Sequence, residues 1–246
     1  MLLTYIFTGA LDYKRYKNLI GSFFPPNQIF LCPRFTDTLK AEDYFSGMGE
    51  VIKLHLMGGE VLARDLISNL PVLNNRNNPV TLLSAIEKSL NIKLSYMQDD
   101  EFDTGKRNLL NFGHCFGHAV ESTSEFAIPH GQAVIVGMFF ANIVAKNRNL
   151  MNADLFNELQ SQVLIPALTT RPTQSQLNTD DIVAAMQMDK KRTGEGLVLV
   201  MLTDGFTMCK IDDLSVAELS SANLEFLTIL AKTQEKWKDG LQELIV

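Results

Sequence analysis

Four histidines, three cysteines and one tryptophan are all that this 246-residue chain holds of those residue types. Cys32, Cys115 and Cys209 form no close pair, which excludes a disulfide framework and suits a reducing compartment, so a cytoplasmic location is expected. Basic charge is also in deficit: 22 Lys and Arg face 28 Asp and Glu, for a formal net charge of -6. A general phosphate-backbone binder needs the opposite balance, so nucleic acid is not an expected partner, whereas a local cationic pocket for a small anion stays open. Long apolar runs are missing too. The longest, Ala133 to Ala145, is interrupted by Asn142 and is too short to span a bilayer, so no membrane partner is expected. The apolar first eleven residues lack the basic beginning and cleavage pattern of a secretory leader. No repeat or low-complexity tract appears.

What is there is a chain with 46% hydrophobic residues, enough for a substantial core. The opening MLLTYIFTGAL reads as an edge strand or a stub, and NQIFLC, between Pro25-Pro26 and Pro33, as one short strand. Lys40 to Leu70 is helical, divided or deformed at Gly58-Gly59. A helix is expected from about Val80 through Lys93, followed by LSYMQDDEFDTG as a short extended piece and acidic turn. Further helices are expected over Asn108 to Thr123, Gly131 to Lys146, Asn152 to Val163, Thr179 to Met188 and Ser215 to Ala222, with Asn, Thr or Ser caps near their starts. GLVLVMLTDG is the clearest strand, with FTMCKI as its hairpin partner. A last amphipathic helix contains Leu230, Trp237, Leu241 and Leu244. The expected class is mainly α, with a few short strands.

Three of the four histidines fall in one segment, RNLLNFGHCFGHAVESTSEFAIPH. His114 and His118 share a helix face, and a helix beginning near His130 can return its imidazole against them. Glu50, in GMGEVIK, adds a carboxylate; two histidines and one carboxylate make an established set for catalytic zinc with an open position. The alternative is a group of buried histidines satisfied by hydrogen bonds. Lys17, Lys53, Lys93, Arg107 and the Lys190-Lys191 pair can neutralise a carboxylate and a phosphate if they converge, or stand as surface helix charges if they do not.

The combination KNLIGSFFPP, FSGMGEVIK, IKLSYMQDDEFDTGKRNLLNFGHCFGHAVE, PHGQAVIVGM and MQMDKKRTGEG resembles the 3-dehydroquinate synthase family and its sugar-phosphate cyclase relatives, from Lys17 through about Val200. The resemblance implies the helical C-terminal domain of that fold, over residues 17–246, after an atypical segment 1–16. It implies Glu50, His114 and His130 as zinc ligands. His118 is implied near the substrate phosphate, assisting proton transfer. Lys93 and Arg107 match positions for the substrate carboxylate, Lys53 and Asn111 polar pocket positions, and Lys17, Asn18 and the Lys190-Lys191 region the phosphate side. The family cyclises a phosphorylated seven-carbon keto acid, with transient hydride transfer to a bound nicotinamide, phosphate elimination and aldol closure.

The family's doubly wound nucleotide-binding domain has no counterpart here, and no GxGxxG substitute occurs. NAD is therefore expected only where a missing domain or a separate nucleotide-binding polypeptide supplies its site. The chain is read as half of a split enzyme, a fragment of a longer one, or a residual domain, and self-association into a homo-oligomer is expected. A non-catalytic metal- or anion-binding assembly domain, half of another sugar-phosphate cyclase, and a polyol dehydrogenase are the competing readings. Gln132, at a position usually acidic in the family, is expected to remove a charge that tunes His130.

Overall fold

The computed structural model describes residues 8–13, 16–23, 27–98, 100, 105–189 and 197–243, with side chains placed for 27–98, 100, 105–188 and 197–233. The fold is mainly α. A hairpin of β1 (Thr8–Tyr13) and antiparallel β2 (Tyr16–Phe23) comes first. Residues 27–32 form no strand: nothing among the described residues pairs with them, and Ile29 and Phe30 stand exposed.

Two helices follow, α1 (Ala41–Met57) and α2 (Glu60–Asn74), divided at Gly58-Gly59 as the sequence suggests. Asn78 then caps α3 (Pro79–Met97), its side chain accepting from the Val80 and Thr81 amides. The extended piece expected after Lys93 is instead the last turn of α3. Its Tyr96 hydroxyl donates to Met57 O at 2.9 Å, which draws that turn onto the end of α1 and favours helix over strand.

The helix expected over Asn108 to Thr123 is broken. A 3-10 turn, Lys106–Asn111, precedes α4 (His114–Thr123). Next comes α5 (His130–Asn147), whose residues from Gly131 to Ala145 are all buried. A helix apolar on every side needs cover on every side, and α5 receives it from α1, α4, β3 and α9. Phe116 of α4 stacks on Phe140 at 3.9 Å between centroids, and Phe139 meets Phe226 edge-on at 4.9 Å. Each such fully buried side chain contributes roughly 1.5–3 kcal/mol by area. No helix among the described residues is long and apolar enough to cross a membrane.

The remaining elements close around α5. Asn152 caps α6 (Ala153–Leu159), which passes through a π turn (Gln160–Leu164) into the short α7 (Ile165–Ala167). The cap of α8 (Thr179–Asp189) is Asn178, accepting from the Asp180 and Asp181 amides. Strand β3 (Leu197–Thr203) pairs antiparallel with β4 (Thr207–Leu214), as read from the sequence. The two final helices expected are one, α9 (Val216–Glu243), which starts from a reciprocal Ser215–Glu218 cap.

Helices α4 and α5 approach as closely as glycine permits. A Cβ on Gly137 would lie 1.8 Å from Gly113 O, a backbone atom that cannot swing aside. Gly137→Ala is expected to cost about 3 kcal/mol through overpacking, read as a fall in the urea midpoint with an unchanged slope.

Arg148 closes the far end of α5 with a two-point bond to Glu218, Nε to Oε1 at 2.7 Å and Nη2 to Oε2 at 3.0 Å, and a third bond to Asp213. Hydrogen bonding to Arg148 holds the Glu218 carboxyl down at about 2 against its ordinary 4.5. A carboxyl depressed on folding stabilises the fold above its unfolded pKa and loses that contribution as pH falls through the folded value. Glu218→Gln should therefore flatten the stability profile between pH 4.5 and about 2, followed by denaturation at a series of pH values.

Candidate metal centre

Three helices deliver the polar cluster. Glu50 and Lys53 stand one turn apart on α1, His114 and His118 one turn apart at the start of α4, and His130 is the first residue of α5. Gly113 sets up α4 from a left-handed conformation, φ 76°, that a side chain there would strain. The Gly131 amide donates to Ser46 Oγ at 3.0 Å, fastening the start of α5 to α1 one turn before Glu50.

The carboxylate of Glu50 is where these elements meet. Its Oε2 takes an ion pair from Lys53 Nζ at 2.9 Å, and Lys53 also donates to Leu110 O at 3.0 Å. Its Oε1 lies 3.2 Å from His114 Nε2 and 3.4 Å from His130 Nε2. Yet this oxygen is buried with no hydrogen bond. A tetrahedral site with bonds of about 2.0–2.1 Å has ligand-to-ligand edges of about 3.3–3.4 Å, so the Glu50-to-imidazole spacings suit atoms that share an ion.

The far nitrogens of both rings agree. His114 Nδ1–H donates to Phe112 O at 3.2 Å, and His130 Nδ1–H to Glu121 Oε2 at 3.1 Å. A proton held at Nδ1 leaves the Nε2 lone pair for coordination. Glu50, His114 and His130 thus offer ligand atoms within 4.8 Å of one another, and fit a divalent cation.

The electrostatics follow from burial and proximity. Burial alone would raise the Glu50 carboxyl, but Lys53 and His114 outweigh it and hold the group well below the usual range. Burial and the Lys53 charge push His114 down to about 4. Burial also opposes the imidazolium of His130, but Glu121 and Glu50 overcome it and raise that ring to about 9. Lys93, on α3, falls to about 8 through burial and the like charges of Lys53 and Arg107.

Glu50, Lys53, Lys93, Arg107, His114, His118 and His130 accordingly share one recess. The His118 ring centroid is 5.2 Å from that of His114 and 5.8 Å from that of His130. Asn111 ends the 3-10 turn that leads to α4, its carbonyl accepting from Cys115 Sγ at 3.8 Å. Lys17 and Asn18 lie in β2, their side chains outside the described positions, and Lys190 and Lys191 fall outside the described residues. The fourth histidine, His55, is buried and bonds Val51 O through Nδ1, apart from the cluster.

Two residues near the recess escaped the sequence reading. Glu121, at i+7 from His114, carries the signal of a shared helix face. Asp100 shows none; its Oδ2 accepts from the Gly105 and Arg107 amides at 2.9 and 2.8 Å and pins the chain entering the recess. Gln132, expected to affect tuning of His130, does something else. Its Nε2 donates to Phe45 O and Ala167 O, and its Oε1 accepts from the Thr169 and Thr170 amides. A carboxylate has no proton for those two carbonyls, so the amide serves as a staple between α5, α1 and the chain after α7.

Comparison with known proteins shows the family. A family model described as 3-dehydroquinate synthase C-terminal matches residues 47–192. The 3-dehydroquinate synthase of Dehalococcoides mccartyi is 33% identical over 193 residues, 78% of this chain and 53% of that protein. That of a Synechococcus species is 36% identical over 188 residues, 74% of this chain and 50% of that protein. The chain spans about half the length of these curated relatives.

Among solved structures, the fold superposes on 2-epi-5-epi-valiolone synthase of Streptomyces hygroscopicus subsp. jinggangensis, which holds NAD+ and Zn2+. The TM-score is 0.77 at 19% identity, over 92% of this chain and 63% of that one. A 2-deoxy-scyllo-inosose synthase complexed with carbaglucose-6-phosphate, NAD+ and Co2+ superposes with a TM-score of 0.71 at 22% identity, over 91% of this chain and 62% of the other. Such identities carry the fold alone. The chain belongs to the 3-dehydroquinate synthase family, in which it matches the C-terminal domain.

Proposed function

We propose that this chain is the metal- and substrate-binding half of a 3-dehydroquinate synthase, taking Zn2+ on Glu50, His114 and His130 and a phosphorylated seven-carbon keto acid beside it. The observation that carries the reading is the buried Glu50 Oε1, flanked at 3.2 and 3.4 Å by two imidazole nitrogens. A bound zinc supplies Lewis-acid polarisation of the substrate hydroxyl oxygens.

The chain's own residues then divide the work. Lys53 neutralises one oxygen of Glu50 and leaves the other for the ion. Lys93 and Arg107 receive the substrate carboxylate. Lys93 is held at about 8 by like charges and burial, so an arriving anion relieves that repulsion and favours the ammonium. The preference is for a carboxylated substrate over a neutral sugar phosphate. His118 stands beside the ligand pair and carries protons at its ring nitrogens near the phosphate. Asn111 adds a polar contact, while Lys17, Asn18 and the Lys190-Lys191 region hold the phosphate.

The described residues offer no glycine-rich cradle for a dinucleotide, so we derive no step through a nicotinamide. Its site belongs to a nucleotide-binding half, supplied by a separate polypeptide or by another part of a longer chain. Residues 17–246 act in this reading as one unit, self-associated and cytoplasmic.

The ligand assignment makes a graded prediction. Glu50→Gln, His114→Ala and His130→Ala each weaken zinc binding at least roughly tenfold, while His118→Ala retains it, measured by competition with a chromophoric chelator. Equal zinc retention in all four variants contradicts the assignment.

Activity is tested by combining the zinc-loaded chain with NAD, the keto-acid phosphate and the nucleotide-binding half of a family relative. Inorganic phosphate should appear with no net NADH, and His118→Ala should slow its release about 10²-fold or more. Net cofactor reduction would mark a simple dehydrogenase, and zinc binding with no phosphate release a non-catalytic domain.

A further inference from the structure

Helix α4 carries its ionisable side chains on one stripe. His114, His118 and Glu121 stand at i, i+4 and i+7, which a 3.6-residue period places on one face. The acidic member is only 4% exposed. A carboxylate taken so far out of water costs several kcal/mol unless hydrogen bonds and charge compensate, and elsewhere α4 fills the core with Phe116, Ala119 and Val120. Glu121 directs that buried charge at His130, its Oε2 lying 3.1 Å from Nδ1. At the opposite end of the same ring, Nε2 is 3.4 Å from Glu50 Oε1. His114 has only a neutral carbonyl, Phe112 O at 3.2 Å, in the corresponding place.

We propose that Glu121 is the positioning residue of the metal centre. It keeps the His130 proton on Nδ1, fixes the angle of the ring and makes Nε2 a better donor than the carbonyl-backed His114. The inference rests on the reading of Glu50, His114 and His130 as the ligand set. His118, Glu121 and His130 also offer atoms within 4.8 Å of one another. The hydrogen bond between Glu121 Oε2 and His130 Nδ1 is instead read as Glu121 acting through His130. Ionised acceptors behind a metal-bound imidazole raise its basicity and are worth roughly 10- to 100-fold in metal affinity.

The test titrates metal-free wild type, Glu121→Gln, Glu121→Ala and Glu50→Gln with Zn2+ against a chromophoric chelator, alongside proton NMR of imidazole N–H groups. Glu121→Ala should weaken zinc roughly 10- to 100-fold and abolish the downfield His130 Nδ1–H resonance. Glu121→Gln, whose amide oxygen still accepts that proton, should lose only several-fold and keep the resonance at a shifted position. Equal affinities with an unmoved resonance overturn the proposal. If Glu121→Ala does not fold, wild type against Glu121→Gln decides, and unchanged affinity and shift again overturn it. Wild type and Glu50→Gln binding zinc equally weakly would sink the ligand set instead, a different result, since the N–H resonance is read without metal.

Discussion

The architecture depends on one oxygen atom, Glu50 Oε1, held out of water against two imidazole nitrogens at 3.2 and 3.4 Å. Left alone, a buried carboxylate oxygen is costly. The fold tolerates it because Lys53 satisfies the other oxygen and because three helices are locked around the site by contacts that have nothing to do with charge. Helix α5 supplies the rigid floor, buried along its length. Its first turn is tied to α1 through Ser46 and through Gln132, and it meets α4 at glycine distance. The site is prepared by packing, and a cation would meet ligands already in place.

The same burial organises the charges around it. In a chain of net negative charge, Lys53, Lys93 and Arg107 are gathered together, where burial and their mutual repulsion show in the depressed Lys93. Two carboxylates, Glu50 and Glu121, are set against the imidazoles. In the proposed reading, an anionic substrate and a divalent cation take adjacent places.

Much of this was legible in the sequence because it rests on local chemistry. The Gly58-Gly59 division, the α5 core helix, the β3–β4 hairpin and the Asn152 cap follow from breakers, periodicity and capping residues. Glu50, His114 and His130 were readable as a set through the family motifs, and the structure brings them together. What stayed hidden is what tertiary contact decides. The break before α4 needs a left-handed Gly113 to pass beside α5, which no helical pattern announces. Leu94 to Met97 stay helical because Tyr96 finds Met57 O across a gap of 39 residues. NQIFLC had the composition of a strand but pairs with nothing among the described residues. Glu121 drew no reading of its own, and Gln132 looked like a missing charge, until their partners were in view.

Zinc-edge X-ray absorption of the metal-loaded chain tests the central claim most directly. Two imidazole nitrogens and carboxylate oxygen at about 2.0–2.1 Å, with a light atom completing four-coordination, are the expected shell. A shell of water oxygens alone, or sulfur at about 2.3 Å from Cys115, would contradict it.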